Sequence, residues 1–101
     1  VDFSSEQAEK VAQVMSGLST AVRVRILAHL LDSPATVTEL TQDLGLSQAA
    51  VSNHLRILRH LNLAKGTREG KNVVYSLPDN HVRTMISEIF EHIQHEDDDF
   101  Q

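Results

Sequence analysis

Apolar positions recur every three or four residues along most of the chain, and the breaks between those runs are short and polar. Ser4 and Gln7 have the spacing of a capping box. Ala8, Val11, Ala12, Met15 and Leu18 follow at helical intervals. A second helix is predicted from about Thr20 to Leu31. Val22, Ile26, Leu27, Leu30 and Leu31 form its apolar face, and Pro34 lies just past its end. Thr36 and Glu39 make another capping box for a short third helix carrying Val37, Leu40 and Leu44. Gly45 suits the left-handed position that ends it. Ser47 caps a fourth helix with Val51, Leu55 and Leu58 inward. Beyond Leu61 the period shortens. Leu63 to Arg68 and Lys71 to Leu77 flank Glu69-Gly70, and Val73, Val74 and Tyr75 favour a strand, so this stretch reads as a hairpin. Pro78 and Asp79 open a final helix with a continuous apolar stripe of Val82, Met85, Ile86, Ile89, Phe90 and Ile93. Glu96–Asp99 reads as a frayed or disordered tail.

The predicted fold is mainly α with a small β-hairpin, in the order α-α-α-α-β-β-α. Gly45-Leu46-Ser47 has the length and composition of the turn in a helix-turn-helix. A hairpin directly after it gives the outline of a winged helix-turn-helix. One such domain is expected over residues 1–101. It has a recognition helix at about 47–60, a wing at about 63–77, a dimer and metal helix at about 79–95, and an acidic tail at 96–101.

Composition narrows the function. The 101 residues are 41% hydrophobic and 23% charged, as in a folded domain. No apolar run nears the roughly 20 residues that span a bilayer. The N-terminal stretch lacks a basic region followed by an apolar block, so no signal peptide is expected. A cytoplasmic location without membrane association follows as an expectation. The absence of Cys excludes disulfides, thiolate ligands and cysteine nucleophiles. Without Trp, and with 4% aromatics, a stacking platform for single-stranded nucleic acid is disfavoured.

The net charge of −5 hides an uneven distribution. Residues 21–77 set Arg23, Arg25, Arg56, Arg59, Lys65, Arg68 and Lys71 against Asp32, Glu39, Asp43 and Glu69, a net of +3. Residues 78–101 set Arg83 against Asp79, Glu88, Glu91, Glu96, Asp97, Asp98 and Asp99, a net of −6. Local fields steer polyanions better than averages do. Double-stranded DNA is therefore a candidate partner, met by the start of the fourth helix, where such helices approach base edges. Gln48 and Asn53 suit adenine, Ser52 suits either base type, and Ala49 permits close approach or contact with a thymine methyl. His54 is a further candidate. Arg56 lies further along, better placed for phosphate. Arg68 and Lys71 at the hairpin tip suit the backbone or minor groove.

The last helix carries a second candidate chemistry. His92 and His95 share a face at i, i+3. His81 lies eleven residues before His92, with Asp79 just ahead of it. At 1.5 Å per residue the separation along the axis is about 16 Å, whereas zinc–nitrogen bonds are about 2.0–2.1 Å. One straight helix cannot bring the four groups to one ion. Two antiparallel copies, paired through Val82, Met85, Ile86 and Ile89, set Asp79 and His81 of one chain beside His92 and His95 of the other. A two-fold axis then makes two sites. Three imidazoles and one carboxylate suit tetrahedral Zn²⁺ and leave no open position for a catalytic water. Co²⁺ or Ni²⁺ binding in vitro is also compatible. His29 and His60 are read as partly buried or surface residues without a metal role.

Three segments together resemble the ArsR/SmtB family of metal-responsive winged-helix repressors. Leu18-Ser19-Thr20-Ala21-Val22-Arg23-Val24-Arg25-Ile26-Leu27 and Leu46-Ser47-Gln48-Ala49-Ala50-Val51-Ser52-Asn53-His54-Leu55 carry the family likeness. The Asp79, His81, His92, His95 pattern carries the likeness to its zinc-sensing subgroup with the site on the last helix. The resemblance implies a homodimer that binds operator DNA when metal-free and releases it on binding zinc. It also implies a relay in which the second ring N–H of His92 points at the segment between recognition helix and wing, near Asn62. The chain lacks the third-helix cysteines that relatives use for arsenic, cadmium or lead, and no His precedes His29 to add nickel ligands. The expected function is a zinc-responsive repressor without enzymatic activity or a small-molecule substrate. The alternatives are a winged-helix regulator without metal control, a zinc hydrolase, and a protein-interaction domain.

Overall fold

A computed structural model describes residues 4–99, and for 96–99 the backbone path alone. The elements are α1 (Ser5–Ser16), α2 (Ala21–Asp32), β1 (Ala35–Thr36), α3 (Val37–Leu44), α4 (Gln48–His60), β2 (Lys65–Glu69), β3 (Asn72–Ser76) and α5 (Asn80–Asp99). Local chemistry explains the helix starts. Ser4 and Gln7 close a capping box on α1, and Thr36 and Glu39 close one on α3. Thr20 caps α2 by accepting from the Arg23 N–H, and Ser47 caps α4 by accepting from the Ala50 N–H. Gly45, at φ 67°, ends α3 in the left-handed region, where a Cβ is costly.

The core gathers Ile26, Leu27 and Leu30 of α2, Leu40 of α3, and Val51, Leu55 and Leu58 of α4. Ala35 of β1, with Leu63, Ala64, Leu77 and Ile86 from the sheet flanks and α5, completes it. The helix-turn-helix thus packs on α2, and the hairpin is held at its base by the buried residues on either side of it.

Four features differ from the sequence reading. The sheet has three strands in the order β1-β3-β2, because Ala35 and Thr36 pair antiparallel with Tyr75 and Val74. Two residues are too few to show an alternating pattern. Second, α5 continues through Asp99; no Gly or Pro interrupts it, so the predicted frayed tail is helical in its backbone to that point.

Third, α1 buries none of its residues. Val14 packs on the core rather than Val11 and Met15, which stay about half exposed at 47% and 46%. Fourth, the α5 stripe divides. Ile86 is buried within its own chain, and Val82, Met85 and Phe90 pack against the same core, while Ile89 and Ile93 remain exposed. Of the expected pairing through Val82, Met85, Ile86 and Ile89, Ile86 is therefore withdrawn, while Val82 and Met85 are half-buried and Ile89 is exposed. Among the described residues, the exposed large apolar side chains on the helices are Ile89 and Ile93 of α5 with Val11 and Met15 of α1. No single helix among the described residues is long and apolar enough to cross a membrane.

Candidate DNA interface and metal-ligand helix

The helix-turn-helix is α3, Gly45-Leu46-Ser47 and α4. Two backbone donors of the turn, Gly45 and Leu46, share the Thr41 carbonyl at 3.0 and 3.2 Å, which tightens the reversal. Val51, Leu55 and Leu58 anchor one side of α4. Gln48, Ala49, Ser52, Asn53 and Arg56 are exposed on the rest of it. His54 differs: it is half-buried, and its Nδ1 is enclosed without a hydrogen-bond partner. Asn53 and Arg56 are not independent. Arg56 Nη2 donates to Asn53 Oδ1 at 2.8 Å, so a two-point contact from Asn53 to adenine requires that bond to open.

The hairpin tip is a two-residue turn. Glu69 pairs with Asn72, and Gly70 adopts φ 62° between them. Glycine first in a two-residue turn matches the type II′ hairpin. Arg68 and Lys71 are both exposed there.

Two arginines from the basic middle have structural work instead. Arg23 donates to the carbonyls of Gly17 and Ser16, each at 3.0 Å, at the end of α1. Arg25 donates to the Leu44 carbonyl at the end of α3 at 2.8 Å. Both satisfy helix carbonyls that lack a helical partner. The exposed cations of the middle are then Arg56, Arg59, Lys65, Arg68 and Lys71, beside the engaged Arg25. His29 is also tied down. Its Nε2 lies 2.8 Å from Asp43 Oδ2, joining α2 to α3, a pairing that helical spacing does not reveal.

Asp79 precedes α5, and its Oδ1 accepts the Val82 N–H at 2.9 Å. The second carboxylate oxygen is left over for another contact. His81 lines a surface depression of about 270 Å³ with Val14, Leu61, Asn62, Leu63, Val82 and Met85. His92 and His95 line a different, open depression with Glu88, Glu91 and Gln94. A single chain thus keeps His81 apart from His92 and His95. Among the described residues no three ligating side chains gather where a metal ion would fit.

The sequence reading also missed why Asn62 lies where it does. Asn62 takes φ 58° at the end of α4. Its N–H donates to the Arg59 carbonyl at 3.0 Å, and the Leu63 N–H donates to the Leu58 carbonyl at 2.8 Å. That is the Schellman arrangement, in which Asn is the usual substitute for Gly. Asn62 therefore sets the elbow between α4 and the hairpin whether or not it serves a relay.

A family model described as "Bacterial regulatory protein, arsR family" matches residues 20–65. The HTH-type transcriptional regulator NmtR of Mycobacterium tuberculosis is 42% identical over 93 residues, which cover 92% of this chain and 78% of that protein. The chain belongs to the ArsR family. Another relative of this ArsR-family chain is the transcriptional repressor SmtB homolog of Synechocystis sp., 39% identical over 94% of this chain and 72% of that protein. Among solved structures, HlyU from Vibrio cholerae superimposes with a TM-score of 0.81 at 32% identity, covering 87% of this chain and 96% of that one. The ArsR-family chain is thus a winged helix-turn-helix transcriptional regulator and not an enzyme.

Proposed function

We propose that the chain is a homodimeric, zinc-responsive repressor whose metal-free form binds operator DNA in the cytoplasm and whose zinc-bound form releases it. The observation that carries this reading is the division of Asp79, which caps α5, and His81 in its first turn from His92 and His95 about three turns further along. The set is incomplete in one chain and complete at the seam of two. The half-exposed Ile89, Ile93, Val11 and Met15 supply apolar surface for such a seam. The relatives' names as transcriptional regulator and repressor support the regulatory half of the reading.

The donor set fits zinc. Three imidazoles and a carboxylate suit tetrahedral coordination, and the Asp79 cap bond uses one of two carboxylate oxygens. Bound there, the ion supplies a fixed link between two chains. Each chain contributes two ends of a site, so two ions per dimer are expected. His81 lies beside Asn62, so His92 of the partner subunit, joining His81 at one ion, comes to the same elbow. Its second ring N–H is then within range of that segment, which is the proposed relay. Gln48, Ala49, Ser52, Asn53 and His54 face the major groove in this reading, Arg56 meets phosphate from further along α4, and Arg68 and Lys71 meet the backbone or minor groove. Two recognition helices must match grooves about 34 Å apart, so a small rigid-body change spoils the fit.

The test is DNA-binding anisotropy on a promoter fragment from the protein's own locus, with zinc affinity measured on free and DNA-bound protein. Zinc lowers DNA affinity and DNA lowers zinc affinity by the same factor. Tighter DNA binding with zinc contradicts the reading. A flat response leaves a winged-helix regulator without metal control. Parallel titrations with Co²⁺ and Ni²⁺ identify the metal. Mixing His81→Ala and His92→Ala chains gives heterodimers with one intact site; retention of none or of two equivalent sites refutes the sharing of ligands.

A further inference from the structure

Arg83 occupies the first turn of α5, two residues past His81. A cation at that end opposes the dipole of its own helix. Its guanidinium reaches elsewhere. Nη1 donates to the Leu31 carbonyl at 2.8 Å, across 52 residues of sequence. Leu31 is the penultimate residue of α2, where carbonyls lack helical partners and the dipole favours a cation. Along the main chain, the Arg83 N–H donates to the Asp79 carbonyl at 3.2 Å, the first turn of α5. One residue is therefore bonded through its backbone to a proposed metal ligand and through its side chain to the end of α2.

This bond closes a ring. From Leu31 the chain passes through Ser33 and Pro34 into β1, and Ala35 and Thr36 pair with Tyr75 and Val74 of β3. The chain leaves β3 through Leu77 and Pro78, reaches Asp79 and α5, and returns through Arg83 to Leu31. Thr36 also caps α3, the first helix of the helix-turn-helix. The covalent link at Leu77-Pro78 joins α5 to the hairpin; Ile86 packs the middle of α5 on the core, and Arg83 adds a polar tie from its first turn to the frame that carries α3.

We propose that Arg83 is a positioning residue that braces the first turn of α5 against the end of α2, so that metal occupancy at Asp79 and His81 is transmitted to the helix-turn-helix as well as to the hairpin. The proposal rests on the zinc-responsive reading. Arg83 itself contacts neither metal nor DNA in this scheme.

The experiment compares full-length wild type, Arg83→Ala and Arg83→Lys by DNA-binding anisotropy with and without Zn²⁺. Zinc affinity by chelator competition, thermal unfolding and amide exchange of the metal-free protein accompany it. In Arg83→Ala, the ratio of DNA affinity without zinc to that with zinc falls by about fivefold, the fold-change that corresponds to one hydrogen bond of ordinary net strength. Zinc affinity of the DNA-free protein and DNA affinity of the metal-free protein stay within about twofold, since no ligand or DNA contact is removed, while zinc affinity of the DNA-bound protein rises by the factor that the ratio loses. Amides at Ser33 and Ala35 exchange faster. Arg83→Lys keeps a charged donor and recovers most of the ratio. An unchanged ratio in Arg83→Ala overturns the proposal. So does a variant that melts lower and binds DNA more weakly in both states by one common factor, because that describes a structural cap. A wild type whose DNA affinity ignores zinc overturns the zinc-responsive reading and the brace with it. That outcome is distinct from a responsive wild type matched by its Ala variant.

Discussion

Replacing Gly17 by Ala tests how tightly α1 is fitted onto the elbow beside Asn62. Gly17 has φ −64° and ψ −20°, which Ala adopts freely, so the backbone resists nothing. Space is the obstacle. An added Cβ lies 2.5 Å from Leu63 Cδ1 and 3.0 Å from Leu61 Cδ1. Leu63 is 1% exposed and cannot swing into solvent, whereas the half-buried Leu61 has room to yield. Overpacking of this kind costs about 1–3 kcal/mol. Against it stands the smaller entropy of the unfolded chain with Ala, about 0.4–1 kcal/mol. Mid-range values leave a net destabilisation of about 1.3 kcal/mol. For a domain of this size each kcal/mol moves Tm by about 4–8 °C. Thermal unfolding followed by circular dichroism, at matched protein concentration because a dimer's Tm depends on it, reads the effect. Leu63→Val removes the clashing Cδ1. Alone it costs about 1 kcal/mol. Combined with Gly17→Ala, it costs less than the sum of the two by at least about 0.5 kcal/mol. A Gly17→Ala protein as stable as wild type, or strict additivity in the pair, refutes the steric argument.

Three further outcomes follow from the same geometry. Ser52→Ala or Gln48→Ala lowers specific DNA affinity by about 1–3 kcal/mol where the residue reads a base, with little change on random DNA, as anisotropy on both duplexes measures. Arg68→Ala or Lys71→Ala weakens both duplexes alike and flattens the salt slope by about 1 for each phosphate no longer neutralised; an unchanged slope in both variants removes the hairpin from the interface. Thr36→Ala opens the α3 capping box and costs about 1 kcal/mol in urea unfolding, while an unchanged midpoint shows the cap to be redundant.

Much of the architecture is local and was legible in order. Ser4, Thr36 and Ser47 accept the N–H three residues on, as their spacing implied, because a cap involves only neighbours in sequence. Gly45 takes the left-handed angle anticipated for it, for the same reason. The hairpin turn at Gly70 was also readable, though it falls one residue later than expected, on Gly70-Lys71: β2 starts two residues late and runs one residue past its expected end, and β3 begins and ends one residue inside its limits. The candidate metal set was legible as an incompatibility: eleven residues of helix hold His81 too far from His92, whatever the helix packs against.

What the tertiary structure decided are the choices among residues that look alike in a one-dimensional pattern. Helical spacing puts Ile86 and Ile89 on one stripe, yet packing on α2 buries the first and leaves the second at 42% exposure. Charge counting treats Arg23, Arg25, Arg56 and Arg68 as equals. The fold sends the first two to the ends of α1 and α3 and the third to Asn53. The same holds for β1, for the His29–Asp43 pair and for the Arg83–Leu31 bond. Each joins residues many positions apart, so its energy depends on how helices and strands are arranged in space. Periodicity reports only which side of its own helix or strand a residue occupies. Local propensity and spacing therefore determined where the helices start, where the turns fall and which ligands cannot meet within one chain. The packing of those helices and strands on one another determined which apolar groups stay outside and which cations stay free.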